Sequence, residues 1–187
     1  MRHSCFTFLR RWQMMSDLMK KLPLHDERFL DAAEGWLGLN DPVSANEELD
    51  QISPASGAHP DVLLVRLQVC WAAKQWEACV QIGGAVVKAS PRIPDGWIGR
   101  SFALHELKRT QEAYDLLLPA KDKFPKNCTI PYNLACYAAQ LNRLEEAANW
   151  FKKAMRMDEP AVKHMAIDDP DLKPLLDSLG GRLWKVD

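Results

Sequence analysis

No apolar run in this 187-residue sequence is long enough to cross a membrane or to form the core of a secretory signal. The best stretch near the start, Cys5 to Leu9, is broken by Thr7 and ended by Arg10 and Arg11. Basic charge is not in surplus either. The 24 Lys and Arg stand against 25 Asp and Glu, which argues against nucleic acid as the partner, because a phosphate backbone demands a basic surface. The five cysteines are odd in number and form no Cys-x-x-Cys pair. A secreted disulfide framework is therefore not expected, and reduced thiols in a cytoplasmic protein are. Asn127-Cys128-Thr129 fits a glycosylation pattern but reads as chance outside a secretory setting.

The signatures of catalysis are missing as well. There is no Gly-x-x-x-x-Gly-Lys phosphate loop, no Gly-x-Gly-x-x-Gly, no His-Glu-x-x-His and no Gly-x-Ser-x-Gly. The five histidines are scattered; His105 and Glu106 are neighbours, and neighbours on a helix point apart. Cys70, Cys79, Cys128 and Cys136 read as small hydrophobes filling a core. No enzyme activity, metal or cofactor is expected.

What the sequence does contain is apolar residues, 47% of the total, and a repeat. Lines of 34 residues set from Asp26, Pro60, Pro94 and Cys128 align without gaps. The fourth position reads Phe29, Leu63, Trp97, Pro131, and the eleventh Trp36, Cys70, Leu104, Ala138. The fourteenth reads Leu39, Ala73, Leu107, Leu141. The twentieth reads Ala45, Cys79, Ala113, Ala147, and the twenty-seventh Ile52, Val86, Ala120, Ala154. Within the last line, Leu134, Tyr137, Ala138 and Leu141 follow helical spacing, and Leu144, Ala147, Ala148 and Phe151 continue it beyond a joint at Asn142-Arg143. Asp41 is suited to cap a helix whose first turn holds Pro42, and Pro60-Asp61 and Pro94-Asp95 mark two more starts.

A 34-residue helix–turn–helix with these residues at fixed places resembles the tetratricopeptide repeat. Trp97, Ser101, Ala113, Ala120 and Pro125 carry the likeness in the third line, and Tyr132 to Ala135, Ala147, Phe151 and Ala154 in the fourth. Trp76, Cys79 and Pro91 carry it in the second; Ala33, Trp36 and Ala45 carry it in the first, which has a loose end from Ser53 to His59. The resemblance implies an all-α fold, a right-handed α-solenoid of about four hairpins (26–59, 60–93, 94–127, 128–160) with capping helices at both ends. Trp36, Trp76 and Trp97 are expected to pack inside their own repeats, and Trp150 to face outward.

Three departures carry expectations. Arg66 and Arg100 stand at the seventh position, where a leucine-like residue is usual. Gly83-Gly84 falls mid-helix, and Gly83 is expected to make room for Trp76 or Trp97. Pro119 should kink or end its helix. At the C-terminus, Ala161 to Ile167 reads as a short helix. Another restarts at Asp168-Asp169-Pro170, with Leu172, Leu175, Leu176 and Leu179 on one face and Gly180-Gly181 as its stop.

Residues 1–25 carry Arg2, Arg10, Arg11, Lys20 and Lys21 against Asp17 alone. They read as a basic leader, partly disordered, with Met14, Leu18 and Leu22 on one face of a helix that caps the array or dimerises. A solvated tail is the plain reading of the leader, and an anionic lipid surface the sharper one.

The resemblance further implies a concave groove lined by the first helices. It assigns Glu27, Leu30 and Glu34 from the first repeat and Asp61, Leu64, Gln68 and Trp71 from the second. Asp95, Ile98, Phe102 and His105 come from the third, and Tyr132 from the fourth. Chaperone-binding relatives hold a terminal carboxylate with a basic clamp; here Leu30, Glu34, Val65, Asp95 and Gly99 stand at those places, so no such clamp is expected. The groove implies a protein or peptide partner that is apolar with basic flanks, with no nucleic acid and no stable membrane insertion. Self-association as an assembly factor is the alternative, and packing between repeats is the competing role for Trp71 and Phe102.

Overall fold

The computed structural model describes residues 21–179. The leader through Lys20, with Met14 and Leu18, and the tail from Gly180 lie outside the described residues. Among the described residues all regular structure is helical. In chain order the elements are α1 (Leu24–Gly38), α2 (Pro42–Leu49), α3 (Pro60–Ala72), α4 (Trp76–Ala89), α5 (Pro94–Glu106), α6 (Thr110–Leu117), α7 (Ala120–Lys123), α8 (Thr129–Gln140), α9 (Leu144–Met157), α10 (Glu159–Ala166), a 3-10 turn at Pro170–Leu172 and α11 (Lys173–Ser178). No helix among the described residues is long and apolar enough to cross a membrane.

The joints show how the 34-residue period becomes a three-dimensional repeat. Asn40, Lys74, Lys108 and Asn142 all adopt positive φ, between 56° and 65°, at the same place in each line. Each sits between two hydrogen bonds that close the preceding helix. The first set is Asn40 N–H to Leu37 O and Asp41 N–H to Trp36 O; the last is Asn142 N–H to Ala139 O and Arg143 N–H to Ala138 O. This is the Schellman closure, which satisfies carbonyls a helix end would otherwise leave bare. The turn reverses the chain, so α2 packs on α1, α4 on α3, α6 on α5 and α9 on α8. Asp41 then caps α2 through Oδ1, accepting Val43 N–H and Ser44 N–H at 3.1 Å each.

The small residues are what let the paired helices approach. Ala45, Cys79, Ala113 and Ala147, all at the twentieth position, are fully buried. So are Val86, Ala120 and Ala154 at the twenty-seventh, with Ile52 nearly so. α3 joins two cores. Val62, Val65 and Val69 pack with Leu30, Ala33 and Leu49, while Leu64, Leu67 and Cys70 join the larger cluster that continues to Leu175. Trp76 and Trp97 are half-buried against that larger cluster. Trp36 departs from expectation: it is 38% exposed, its indole nitrogen 3.4 Å from Glu48 Oε1. Trp150 is half-buried rather than outward, its indole N–H donating to the Tyr114 hydroxyl at 3.1 Å.

The two arginines at the seventh position have found separate uses. Arg66 donates to Leu49 O at 2.8 Å and to Asp50 Oδ1 at 3.2 Å, closing the C-terminal end of α2. Arg100 lies across Gly83 and Gly84. A Cβ at Gly83 would come within 2.8 Å of Arg100 Cβ and 3.1 Å of its Cα. The space above Gly83 therefore belongs to the backbone and stem of Arg100, not to Trp76 or Trp97.

Pro119 ends α6 early, as the sequence predicts. Its ring nitrogen has no hydrogen to give, and the chain passes through a turn before resuming as α7. The segment from Ser53 to His59 is not loose. Asp26, 1% exposed at the start of α1, accepts Ser53 N–H at 3.0 Å, Ser53 Oγ at 2.7 Å and Ser56 Oγ at 2.6 Å. Those donors hold its carboxyl at about 2, well below the usual carboxylate value. Leu172 and Leu175 are buried, Leu176 and Leu179 pack against the same cluster, and α11 lies on α8 and α9.

Candidate partner-binding groove

The first helices α1, α3 and α5 present neighbouring faces, and α8 follows α5. Eight of the twelve expected groove residues keep accessible surface there: Glu27, Glu34, Asp61, Gln68, Trp71, Asp95, Ile98 and Phe102. The other four do not. Leu30 is 7% exposed and Leu64 is 9% exposed, because each points into one of the two cores. Tyr132 and His105, at 4% and 5%, are covered by the chain itself.

The cover is the turn after α10. Its entry residue, Asp168, has φ of 59°. Asp169 Oδ2 accepts the Tyr132 hydroxyl at 2.5 Å and lies 3.8 Å from Cys136 Sγ. Asp171 Oδ1 is 3.4 Å from His105 Nε2, whose other ring nitrogen is 3.0 Å from Thr110 Oγ1. Gln140 donates to Asp171 O at 3.0 Å. Burial pushes the Tyr132 hydroxyl and the Cys136 thiol far above their ordinary values, and the neighbouring acids add to it. Both stay protonated, and the hydroxyl can go on donating. The α8 end of the groove is thus filled by residues 168–172, and the open surface is that of α1, α3 and α5.

The aromatic rings of α3 and α5, joined by the first residue of α4, form one cluster. Trp71 and Phe102 stack with centroids 4.2 Å apart and planes 16° apart. Trp76 meets both edge-on, at 6.4 Å from Trp71 and 5.8 Å from Phe102. The rings therefore do bind α3 and α5 to each other, yet all three remain partly exposed. Toward the first turns of α3 and α5 stand Asp61 and Asp95, with Glu34 on α1. Partial desolvation raises the Glu34 carboxyl, and the charges of Asp31 and Asp61 raise it further. Desolvation raises that of Asp95. Neither carboxylate has a basic partner among the described residues, and none of the twelve positions holds Lys or Arg. His59 Nδ1 accepts Asp61 N–H at 3.3 Å, so that nitrogen is not a donor to the Asp61 carboxylate 3.7 Å away.

Among the described residues no three His, Cys, Asp or Glu side chains converge as a metal site would require. What the surface offers is a partly exposed aromatic cluster and three carboxylates, of which Glu34 and Asp95 have no basic partner among the described residues.

No protein-family model and no curated protein sequence matches the chain. Solved structures do. MamA residues 41 to the end, from Desulfovibrio magneticus RS-1, superposes with a TM-score of 0.67 at 14% identity, over 89% of this chain and all of that one. TTC0263, a tetratricopeptide-repeat protein of Thermus thermophilus, gives 0.65 at 15% identity over 86% of this chain and 91% of that one. YrrB, a tetratricopeptide-repeat protein with an unusual peptide-binding site, gives 0.60 at 13% identity over 80% and 81%. At such identities the likeness is one of fold. With the joints and small residues in 34-residue register, this chain has the tetratricopeptide-repeat fold, an all-α right-handed solenoid.

Proposed function

We propose that this chain is a non-catalytic, cytoplasmic binding module whose groove over α1, α3 and α5 takes a protein segment, apolar in the middle and basic at its flanks. The observation that carries the reading is the partly exposed Trp71–Phe102 stack on the same helices, α3 and α5, that carry Asp61 and Asp95, with Glu34 on α1; Glu34 and Asp95 are partly desolvated carboxylates with no basic partner among the described residues. Stacked aromatics supply large, rigid contact area, and residues of this kind dominate binding energy at interfaces. A cation arriving at the carboxylates offsets charge that is partly desolvated and has no basic partner among the described residues. That YrrB, with the same fold, has a peptide-binding site supports a peptide as ligand class.

The test is a peptide series in which a Phe-Leu-Trp core is kept and flanking Lys or Arg residues are replaced by Glu, titrated by calorimetry. The reading expects measurable affinity that falls with salt, falls with each reversed flank, and is lost in Trp71→Ala/Phe102→Ala. Equal binding by that double variant would refute it.

A second reading, self-association, draws on one observation. Leu39 and Val43 at the first joint are 73% and 69% exposed, beside Trp36. Light scattering separates the two, since self-association requires a mass that rises with concentration and falls in Leu39→Ser/Val43→Ser.

A further inference from the structure

The chain itself contains a segment with the chemistry this groove asks for. Phe6, Phe8, Leu9 and Trp12 are apolar, Arg10 and Arg11 lie among them, and Lys20 and Lys21 follow. The leader through residue 25 carries five basic residues against one acid, while everything after it is net negative. The described chain begins at Lys21, just before α1. The groove starts on the same helix, at Glu27.

Reach permits the contact. The stack lies about 20 Å across the groove from α1, given helices packed 8–10 Å apart. Trp71 also lies roughly 17 Å along α3 from its first residue, at 1.5 Å per residue. The nine residues from Lys21 back to Trp12 span up to about 30 Å when extended, enough to bring the Trp12 ring to the stack. The order of charges also agrees. A segment leaving α1 meets the carboxylates in the first turns of α3 and α5 before the aromatic rings farther along, and in the leader Lys21 and Lys20 come before Trp12 in that direction.

We infer that the leader is a tethered occupant of its own groove, with Trp12 and its apolar neighbours on the Trp71–Phe102 stack and its basic residues facing Glu34, Asp61 and Asp95. The inference rests on the groove reading given above. It changes the meaning of the leader from a solvated tail to an internal competitor that an outside ligand must displace. A tether of this length holds its segment at an effective concentration of order millimolar, so any outside ligand is weakened about tenfold where the free leader segment binds with a Kd of about 100 μM, and more where it binds tighter.

The experiment uses the full chain. A fluorescein-labelled synthetic peptide of residues 4–21 is titrated by anisotropy against the native chain and against Arg10→Glu/Arg11→Glu/Trp12→Ala, whose melting temperature is measured alongside. The inference expects the leader variant to bind the peptide at least about tenfold tighter than the native chain, with salt weakening both. It also expects Trp71→Ala/Phe102→Ala, introduced into the leader variant, to abolish that binding. Equal affinity in native chain and leader variant overturns the tethered occupancy. So does binding that survives loss of the stack, and so does a difference that grows with protein concentration, which assigns the leader to a second copy. The Phe-Leu-Trp peptide with basic flanks, titrated against the leader variant, serves as control for the groove. If it binds and the leader peptide does not, the inference fails and the groove reading stands. If neither binds, both fail.

Discussion

Gly83 and Gly84 are adjacent in α4, face the same arginine, and should respond to alanine in opposite ways. Helix propensity favours Ala over Gly by about 1 kcal/mol at each site. At Gly84 the nearest atom to a new Cβ is Arg100 Cζ at 3.5 Å, ordinary contact with the end of a flexible side chain. Gly84→Ala should therefore stabilise by about 0.5–1 kcal/mol. At Gly83 the new Cβ meets Arg100 Cβ at 2.8 Å, Cα at 3.1 Å and N at 3.2 Å. Backbone cannot swing aside as a side chain can, so α5 must move off α4, and overpacking of that kind costs about 1–3 kcal/mol. After the propensity gain, Gly83→Ala should be neutral to about 2 kcal/mol destabilising. The two variants should thus differ by about 0.5–3 kcal/mol, with Gly84→Ala the more stable, or about 1–12 °C in melting temperature at roughly 2–4 °C per kcal/mol for a chain of this size. Urea and thermal unfolding followed by circular dichroism measure it. If Gly83→Ala stabilises as much as Gly84→Ala, the α4–α5 contact is not as described, and the account of why glycine stands there fails.

Arg100→Met should keep the stem over the glycines while removing Nε, which is buried without a partner among the described residues; an unpaired buried donor costs about 1–3 kcal/mol, so a rise in the urea midpoint is expected and a fall would contradict the packing. Asp26→Asn should loosen the 53–59 segment, seen as faster amide exchange there. Its carboxyl is held at about 2, below the unfolded value near 3.8, so its stabilisation is fully present above about pH 4 and is lost as pH falls toward 2. The stability gap between native and Asp26→Asn chains should close over that window, and a gap constant to pH 2 would refute the assignment. Tyr132→Phe removes the hydroxyl bonded to Asp169, a hydrogen bond to a charged group worth about 1.5–3 kcal/mol, and should speed exchange across 168–178 while leaving α1–α4 unchanged.

The repeat is legible because it is periodic, and periodicity is what a linear sequence records best. The joints make the point. Asn40 and Asn142 tolerate positive φ readily, but Lys74 and Lys108 have no such preference and can be placed only by their 34-residue register. Pro119 ends α6 through local chemistry alone. What the sequence hides is contact between residues far apart along the chain. Asp26 meets Ser53 and Ser56 across 27 and 30 residues, and Tyr132 meets Asp169 across 37. No spacing rule announces such pairs, so the first looks like a loose end and the second leaves Tyr132 and His105 assigned to an open groove. Trp36 differs from expectation for a related reason. Its repeat position favours burial, yet among the described residues α1 has no helical hairpin before it, and the indole stays near the surface. Gly83 does make room, but its neighbour is Arg100, because the seventh position of the third line, on α5, crosses α4 there.

The groove is the central claim, and the most direct measurement is chemical-shift mapping of the full chain by NMR as the tightest member of the flanked Phe-Leu-Trp peptide series is added. The account predicts perturbations concentrated on α1, α3 and α5, largest at the indole of Trp71 and the ring of Phe102, with the α8 face under Asp169 and Asp171 unmoved. Perturbations centred on α2, α4 and α6, or on Tyr132 and Cys136 with the 168–172 turn displaced, would contradict it.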